Sequence, residues 1–245
     1  MPRANRYHIP GLIWHITHRC HNRDFLFKFR KDRERYRHWL LEARKRYGLC
    51  LLNYIITSNH IHLIVYDKGD SDVIERSMQL TQGRIAQEYN ARKRRLGAFW
   101  QDRYHATAVQ SNRHLWRCMT YVDMNMVRAG VVAHPAQWPS AGFHEIQKPP
   151  ARYRLLDLEM CMEVLRIPTQ EQLALWQQEQ IHESLKKPQQ REDCWTSAIA
   201  VGDQPFLTEV ASRLGMRACH CEIIEQAAGC VLQEIPGAYS LNLRA

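Results

Sequence analysis

The chain reads as an α+β protein with a ferredoxin-like antiparallel sheet, flanked by helices, followed by a helical appendage. Two observations predict this. Strand-like runs and amphipathic helical stretches alternate as strand, helix, strand, strand, helix, strand, helix over residues 1–148, the order of a ferredoxin-like sheet. Beyond a cluster of prolines at 135, 139, 149 and 150, the pattern turns helical and rich in Gln and Glu. The expected division is therefore a domain at 1–148 and a helical appendage at 149–245.

The elements follow in order. Leu12 to Thr17 is a first strand, entered through Pro10-Gly11. His15, His18 and His21 are spaced by three, which does not keep them on one strand face; one packed and two loop histidines are expected. From Arg30 to Tyr47, the residues Tyr36, Leu40, Ala43 and Tyr47 step at helical intervals and end at Gly48. Leu49 to Ile56 and His60 to Tyr66 are the next strands, interrupted by Thr57-Ser58-Asn59. A turn follows, with Asp70 or Ser71 as helix cap, and then Ile74, Met78, Ile85 and Tyr89 mark a helix to about Arg95. Arg92, Lys93, Arg94 and Arg95 form a cationic run that suits either a solvated face or a phosphate clamp. Arg103 to Gln110 is the fourth strand. Trp100, Arg103 and Tyr104 at its entrance suit stacking on unpaired bases, although Trp100 equally suits the core.

Two stretches carry chemistry. His60 and His62 project from one face of a β-branched strand, close enough to share a cation. The plainer account is a histidine pair held by core hydrogen bonds, but two polar rings on one face of an apolar strand need a common purpose or costly separate partners. In the helix that follows the fourth strand, Leu115, Met119, Val122 and Met126 form the buried stripe and Gly130 the cap. Arg117, Tyr121, Asn125 and Arg128 make the opposite, polar row, on which a phenol and an amide lie one turn apart.

Those residues carry a resemblance. His60-Ile61-His62 in "SNHIHLIV", "YVDMNMVRAGVV" from Tyr121, "FWQDRYHATAV" between them and the opening "MPRANRYHIPGLIWHITHR" resemble the single-tyrosine HUH transposases, specifically the REP-associated tyrosine transposases, over roughly the first 145 residues. Met126 departs from a proline common after the helix asparagine, and Cys20-His21 from a more usual Gly-Asn. The resemblance implies an HUH-type sheet and a DNA strand-transferring enzyme acting on single-stranded or REP-like hairpin DNA. It further implies Tyr121 as nucleophile, with His60, His62 and Asn125 holding Mg²⁺ or Mn²⁺. The alternative is a hairpin-binding protein that does not cut. A second rival, a zinc hydrolase or deaminase, fits less well, because no glutamate adjoins His60 or His62 and no Cys-x-x-Cys pair occurs.

Charge agrees with a nucleic-acid partner. The net +9 divides unevenly: residues 1–148 hold 25 Lys/Arg against 12 Asp/Glu, whereas 149–245 hold 9 against 13. Candidate DNA contacts are Arg3, Arg6, Arg19, Arg92, Lys93, Arg94, Arg95, Trp100, Arg103, Tyr104, Arg117 and Arg128. No run approaches the roughly 18 apolar residues of a membrane span. With its polar, basic start, the chain is expected in the cytoplasm, as a monomer or homodimer without a small-molecule cofactor. The eight scattered cysteines are expected as reduced thiols.

Overall fold

In β3 (His60–Tyr66) the five interior residues are buried, and in β2 (Cys50–Ile56) all seven are, so both strands need cover on both faces. β3 pairs antiparallel with β2 on one side and with β1 (Ile13–Arg19) on the other. β1 in turn pairs antiparallel with β4 (His105–Val109), which gives the order β2-β3-β1-β4. That is the ferredoxin-like order expected from the sequence. A computed structural model describes residues 9–69, 72–111, 113–188, 190–226 and 229–235; Arg3, Arg6, Asp70 and Ser71 lie outside the described residues.

Register decides what each face presents. Antiparallel partners share a face, so the pairs Thr17↔His62 and Arg19↔His60 put His15, Thr17 and Arg19 beside the histidine pair, while Trp14, Ile16 and His18 face the other way. On that second face α1 (Arg30–Tyr47) packs against α2 (Val73–Lys93). Phe27, Tyr36, Phe99 and Trp100 fill the space between with edge-on ring contacts. α1 ends at Gly48 in the left-handed region (φ 76°), a conformation glycine adopts without steric cost.

The first face is covered by α3 (Arg113–Asp123), which contacts β2 and β4. The expected single helix is interrupted at Met124, and α4 (Asn125–Arg128) continues it. The interruption falls between Asp123 and Asn125, whose side chains are both engaged by the sheet: Asp123 accepts from Asn53 at 2.9 Å, and Asn125 meets His62 at 3.0 Å. Gly130 (φ 66°) closes α4, with Val131 N–H donating to Met126 O at 3.1 Å.

The remainder differs from the helical expectation. α5 (Phe143–Gln147), α6 (Leu158–Leu165), α7 (Gln170–Leu185), α8 (Cys194–Ser197) and α9 (Gln204–Leu214) are helices. They are joined by three strands, β5 (Ala200–Gly202), β6 (Cys221–Gln226) and β7 (Gly229–Glu234). β5 pairs in parallel with β4, β7 with β5 and β6 with β7, extending the sheet to seven strands in the order β2-β3-β1-β4-β5-β7-β6. The sequence does not announce these strands. β5 has three residues, too few for a period, and β6 mixes Cys, Glu and Gln with two isoleucines. What holds β5 in place is the outer edge of β4, whose backbone groups need partners.

A buried carboxylate ties the segment after α5 to β2. Glu145 accepts hydrogen bonds from the backbone of Leu155 at 2.8 Å and Leu156 at 3.2 Å, and from the Tyr54 hydroxyl at 3.1 Å. Gly142 donates its N–H to Tyr54 O at 2.8 Å, and a Cβ there would collide with Asn53 Oδ1 and lie 3.1 Å from Tyr54 N. Gly142→Ala is therefore expected to destabilise the fold by about 1–3 kcal/mol, as overpacking of a tight core does. A lower denaturation midpoint at unchanged slope in urea would show it.

Candidate active site

His62 is buried and has both ring nitrogens engaged. Nδ1 lies 2.9 Å from His15 Nε2, and the two rings are parallel with centroids 5.0 Å apart. Nε2 lies 3.0 Å from Asn125 Nδ2. With the amide donating to Nε2, the His62 proton sits on Nδ1 and points at His15. His60 is fixed differently: its Nδ1 lies 2.9 Å from Thr57 Oγ1 and 2.7 Å from Asn59 Oδ1. Its other edge therefore faces Asn125, with which it also hydrogen-bonds. The Tyr121 ring stands edge-on to His62 at 5.9 Å and to His15 at 6.2 Å.

The fold thus gathers all four chemistry-bearing residues singled out in the sequence, from β3, α3 and α4. It corrects their setting. On the polar row Tyr121 and Asn125 are buried, at 6% and 8% exposed, while Arg117 and Arg128 of the same row line a cleft. His15 and His18 are both buried strand residues on opposite faces, rather than one packed and two loop histidines; only His21 leaves the strand, in a short 3-10 turn.

Several residues at the site carried no local signal. Trp195 of α8 is fully buried, with its ring 6.1 Å from Tyr121 and 6.3 Å from His15. Its indole N–H donates to Glu192 at 2.9 Å, and Glu192 pairs with Arg117 of α3 at 2.8 Å. Gln177 of α7 reaches Asp123 at 2.8 Å. These contacts join the C-terminal part to the tyrosine helix, and only the tertiary structure shows them.

Electrostatics follow from burial. Desolvation, aided by neighbouring cations, lowers His15 and His60 to about 3 and His62 well below its usual value. All three imidazoles are neutral near pH 7, the form that binds metals. Burial raises Tyr121, opposed by Arg128 and Arg191; the Arg128 guanidinium lies 3.8 Å from the centre of the phenol ring. Asp123 is raised to about 6 by burial, against its hydrogen bonds from Asn53 and Gln177.

The basic residues divide into two groups. Arg19 and Arg103 line a cavity of about 210 Å³ that opens on His60 and His62. Arg117 and Arg128 line a cleft of about 650 Å³ beside Tyr121. The run at the end of α2 is partly committed to the fold: Arg92 pairs with Asp32, Lys93 lies over Phe29, and Arg95 donates to Ala98 O at 2.9 Å. Arg94 is the left-handed cap of α2. Trp100 and Tyr104 are not laid open for base stacking. Trp100 stacks on His18 at 4.1 Å and donates to Gln82 O at 3.1 Å, while Tyr104 is buried.

A ferredoxin-like sheet that turns paired histidines and a tyrosine towards basic clefts places the chain among DNA-processing proteins. Residues 8–125, just under half of the chain, match the family model described as IS200-like transposase. Among solved structures, one of a REP-associated tyrosine transposase bound to a REP hairpin is similar at 21% identity and a TM-score of 0.48, over 59% of this chain and 84% of that one. No curated protein matches.

The buried histidines predict acid lability. Between about 3 and 6.5 His15 is neutral in the folded protein and charged in the unfolded chain, so its contribution is complete above 6.5 and is lost as pH falls. Stability should fall by up to about 1.4 kcal/mol per pH unit from this residue alone. His15→Gln should flatten the slope of unfolding free energy against pH, measured by denaturant titration of metal-free protein between about pH 5 and 7.

Proposed function

We propose that the protein is a metal-dependent DNA transposase that nicks and joins single-stranded or hairpin DNA through Tyr121. The observation that carries this reading is the convergence of Tyr121, His60, His62 and Asn125, with Asn125 3.0 Å from His62 and the phenol ring 5.9 Å from the same imidazole. A buried histidine pair with no further task would not need a phenol and an amide aimed at it from another element.

The donor set fits a divalent cation. His62 Nε2 and the edge of His60 opposite its Nδ1 both engage the Asn125 amide, and rotating that amide would present its oxygen in place of its nitrogen. Both imidazoles are neutral, so their lone pairs are available without loss of a proton. Mg²⁺ or Mn²⁺ held there supplies Lewis-acid polarisation of a non-bridging phosphate oxygen.

The chain's own groups do the rest. Thr57 and Asn59 fix the ring of His60, and His15 fixes that of His62. Arg128 and Arg191 favour the phenolate of Tyr121 against the effect of burial. Its oxygen attacks phosphorus, a new O–P bond forms, and the bond to the 3′ oxygen breaks. That oxygen leaves as a 3′-hydroxyl after taking up a proton, and the 5′-phosphate stays on the tyrosine. Another 3′-hydroxyl can reverse the step and join strands, since no water enters the reaction.

Arg19, Arg103, Arg117 and Arg128, which line the two clefts, are the residues we propose for the DNA backbone, with Arg94 and the rest of its run a more distant contact. The motif resemblance makes REP-like palindromic hairpins the substrate. We take residues 1–148 as the transposase unit and 149–245 as the appendage that closes it. Among the described residues no helix is long and apolar enough to cross a membrane. We place the protein in the cytoplasm, acting as a monomer or homodimer with no small-molecule cofactor. A second reading, a hairpin-binding protein that does not cut, is favoured by one observation: Tyr121 is only 6% exposed.

Covalent capture of a labelled hairpin separates the two readings. Wild-type protein should become attached, whereas Tyr121→Phe should lose attachment and keep hairpin binding within about twofold, since it loses one hydroxyl and no charge. A wild-type protein that binds but never attaches would establish the second reading. Asn125→Ala should raise the Mg²⁺ or Mn²⁺ concentration for half-maximal cleavage, and Asn125→Asp should do so less, because a carboxylate oxygen replaces the amide oxygen. Unchanged metal dependence in both variants would remove Asn125 from the ligand set.

A further inference from the structure

The cavity of about 210 Å³ over the histidine pair is lined by three arginines, Arg19, Arg103 and Arg191, and by one carboxylate, Asp102. Arg19 ends β1 and Arg103 precedes β4, both within the span that matches the IS200-like transposase model. Arg191 precedes α8, far beyond residue 125, where that match ends. Its neighbours set its direction. Trp195 is fully buried against Tyr121 and His15, and its indole and Arg117 both hold the Glu192 carboxylate, at 2.9 Å and 2.8 Å. Glu192 thereby faces the cleft beside Tyr121, and Arg191, one residue earlier, faces the cavity of the histidines.

Local packing does not explain that placement. Arg191 pairs with Asp193 at 2.7 Å and donates to Thr196 Oγ1 at 3.3 Å, and an ion pair between two exposed side chains stabilises little. Its charge acts on Tyr121, on His60 and on Arg19, which it repels across the cavity. Asp102 is turned to the backbone N–H of Arg103, at 2.8 Å. Like charges gathered over two histidines are unfavourable until an anion enters between them. A phosphodiester offers two non-bridging oxygens, and in the reaction proposed above one of them is polarised at the histidines. The other gains charge in the same step and needs a partner of its own. We infer that Arg191 is a catalytic residue, whose guanidinium donates to this second non-bridging oxygen of the phosphate that Tyr121 attacks. The inference rests on the proposed role of Tyr121. No bond to Arg191 forms or breaks; its planar fork holds the oxygen while the phenol–phosphorus bond forms and the bond from phosphorus to the 3′ oxygen breaks.

The test follows covalent attachment in a single turnover with saturating labelled hairpin, alongside hairpin affinity. Arg191→Ala should slow attachment about a hundredfold and change affinity less than about threefold, the pattern of a contact made mainly in the transition state. Arg191→Lys should recover part of the loss, since an ammonium keeps the charge and loses the fork. Asp193→Ala removes the surface partner of Arg191 and should attach at the wild-type rate within about twofold. A loss as large as that of Arg191→Ala would make the ion pair a brace for α8 and overturn the inference. A methylphosphonate at the attached phosphate, which replaces one non-bridging oxygen by an uncharged methyl group, locates the contact. Wild-type protein should be slowed by either diastereomer, and Arg191→Ala should be indifferent to one of them, because the oxygen removed has already lost its partner. Full sensitivity of Arg191→Ala to both diastereomers, or attachment by that variant at the wild-type rate, would sink the role of Arg191 and leave Tyr121 as the nucleophile. Wild-type protein that binds the hairpin and never attaches would instead remove the catalytic reading, and this role of Arg191 with it.

Discussion

The position of one buried imidazole organises this molecule. His62 is held from β1 by His15 and from α4 by Asn125, so a strand pair and the end of the tyrosine helix are registered against each other through a single ring. Such a chain of polar groups in a dry interior is costly unless every member has a partner, and the two hydrogen bonds of His62 meet that demand. They also leave little freedom. The strand register places His60 and His62 on the face that α3 covers, and the contact with Asn125 then sets where Tyr121 stands.

The C-terminal part is not a separate body beside this arrangement. It continues the sheet from the edge of β4, and its residues reach into the site: Trp195 lies against Tyr121 and His15, and Gln177 shares Asp123 with Asn53. Burial of Tyr121 follows from this cover as much as from the sheet. The same cover creates the low-polarity surroundings that keep the histidines neutral and raise the phenol. A site closed in this way has strong electrostatics once a phosphate enters, since fewer waters screen the cations around it.

The basic residues show how position, not number, decides a role. Arg92 and Arg95 belong to a cationic run that looks like a phosphate clamp on paper, yet each is engaged by the fold, with Asp32 and with Ala98 O. Arg19, Arg103 and Arg128 are dispersed in the chain, and they converge on the two clefts that flank the tyrosine and the histidines. Trp100 makes the same point from the apolar side, since its ring is taken up by His18.

Local periodicity was sufficient for what depends on neighbours in the chain. The alternation of strand and helix over residues 1–148, the shared face of His60 and His62, the one-turn spacing of Tyr121 and Asn125 and the glycine cap at Gly130 are all properties of residues within a few positions of one another. The tertiary structure alone decided what depends on residues distant in sequence. β5 exists because β4 has an edge to fill, His15 is a partner of His62 because β1 pairs with β3 in one register, and Tyr121 is buried because α3 lies on the sheet. No spacing within a segment records such pairings, because the groups that satisfy one another come from elements whose separation only folding removes.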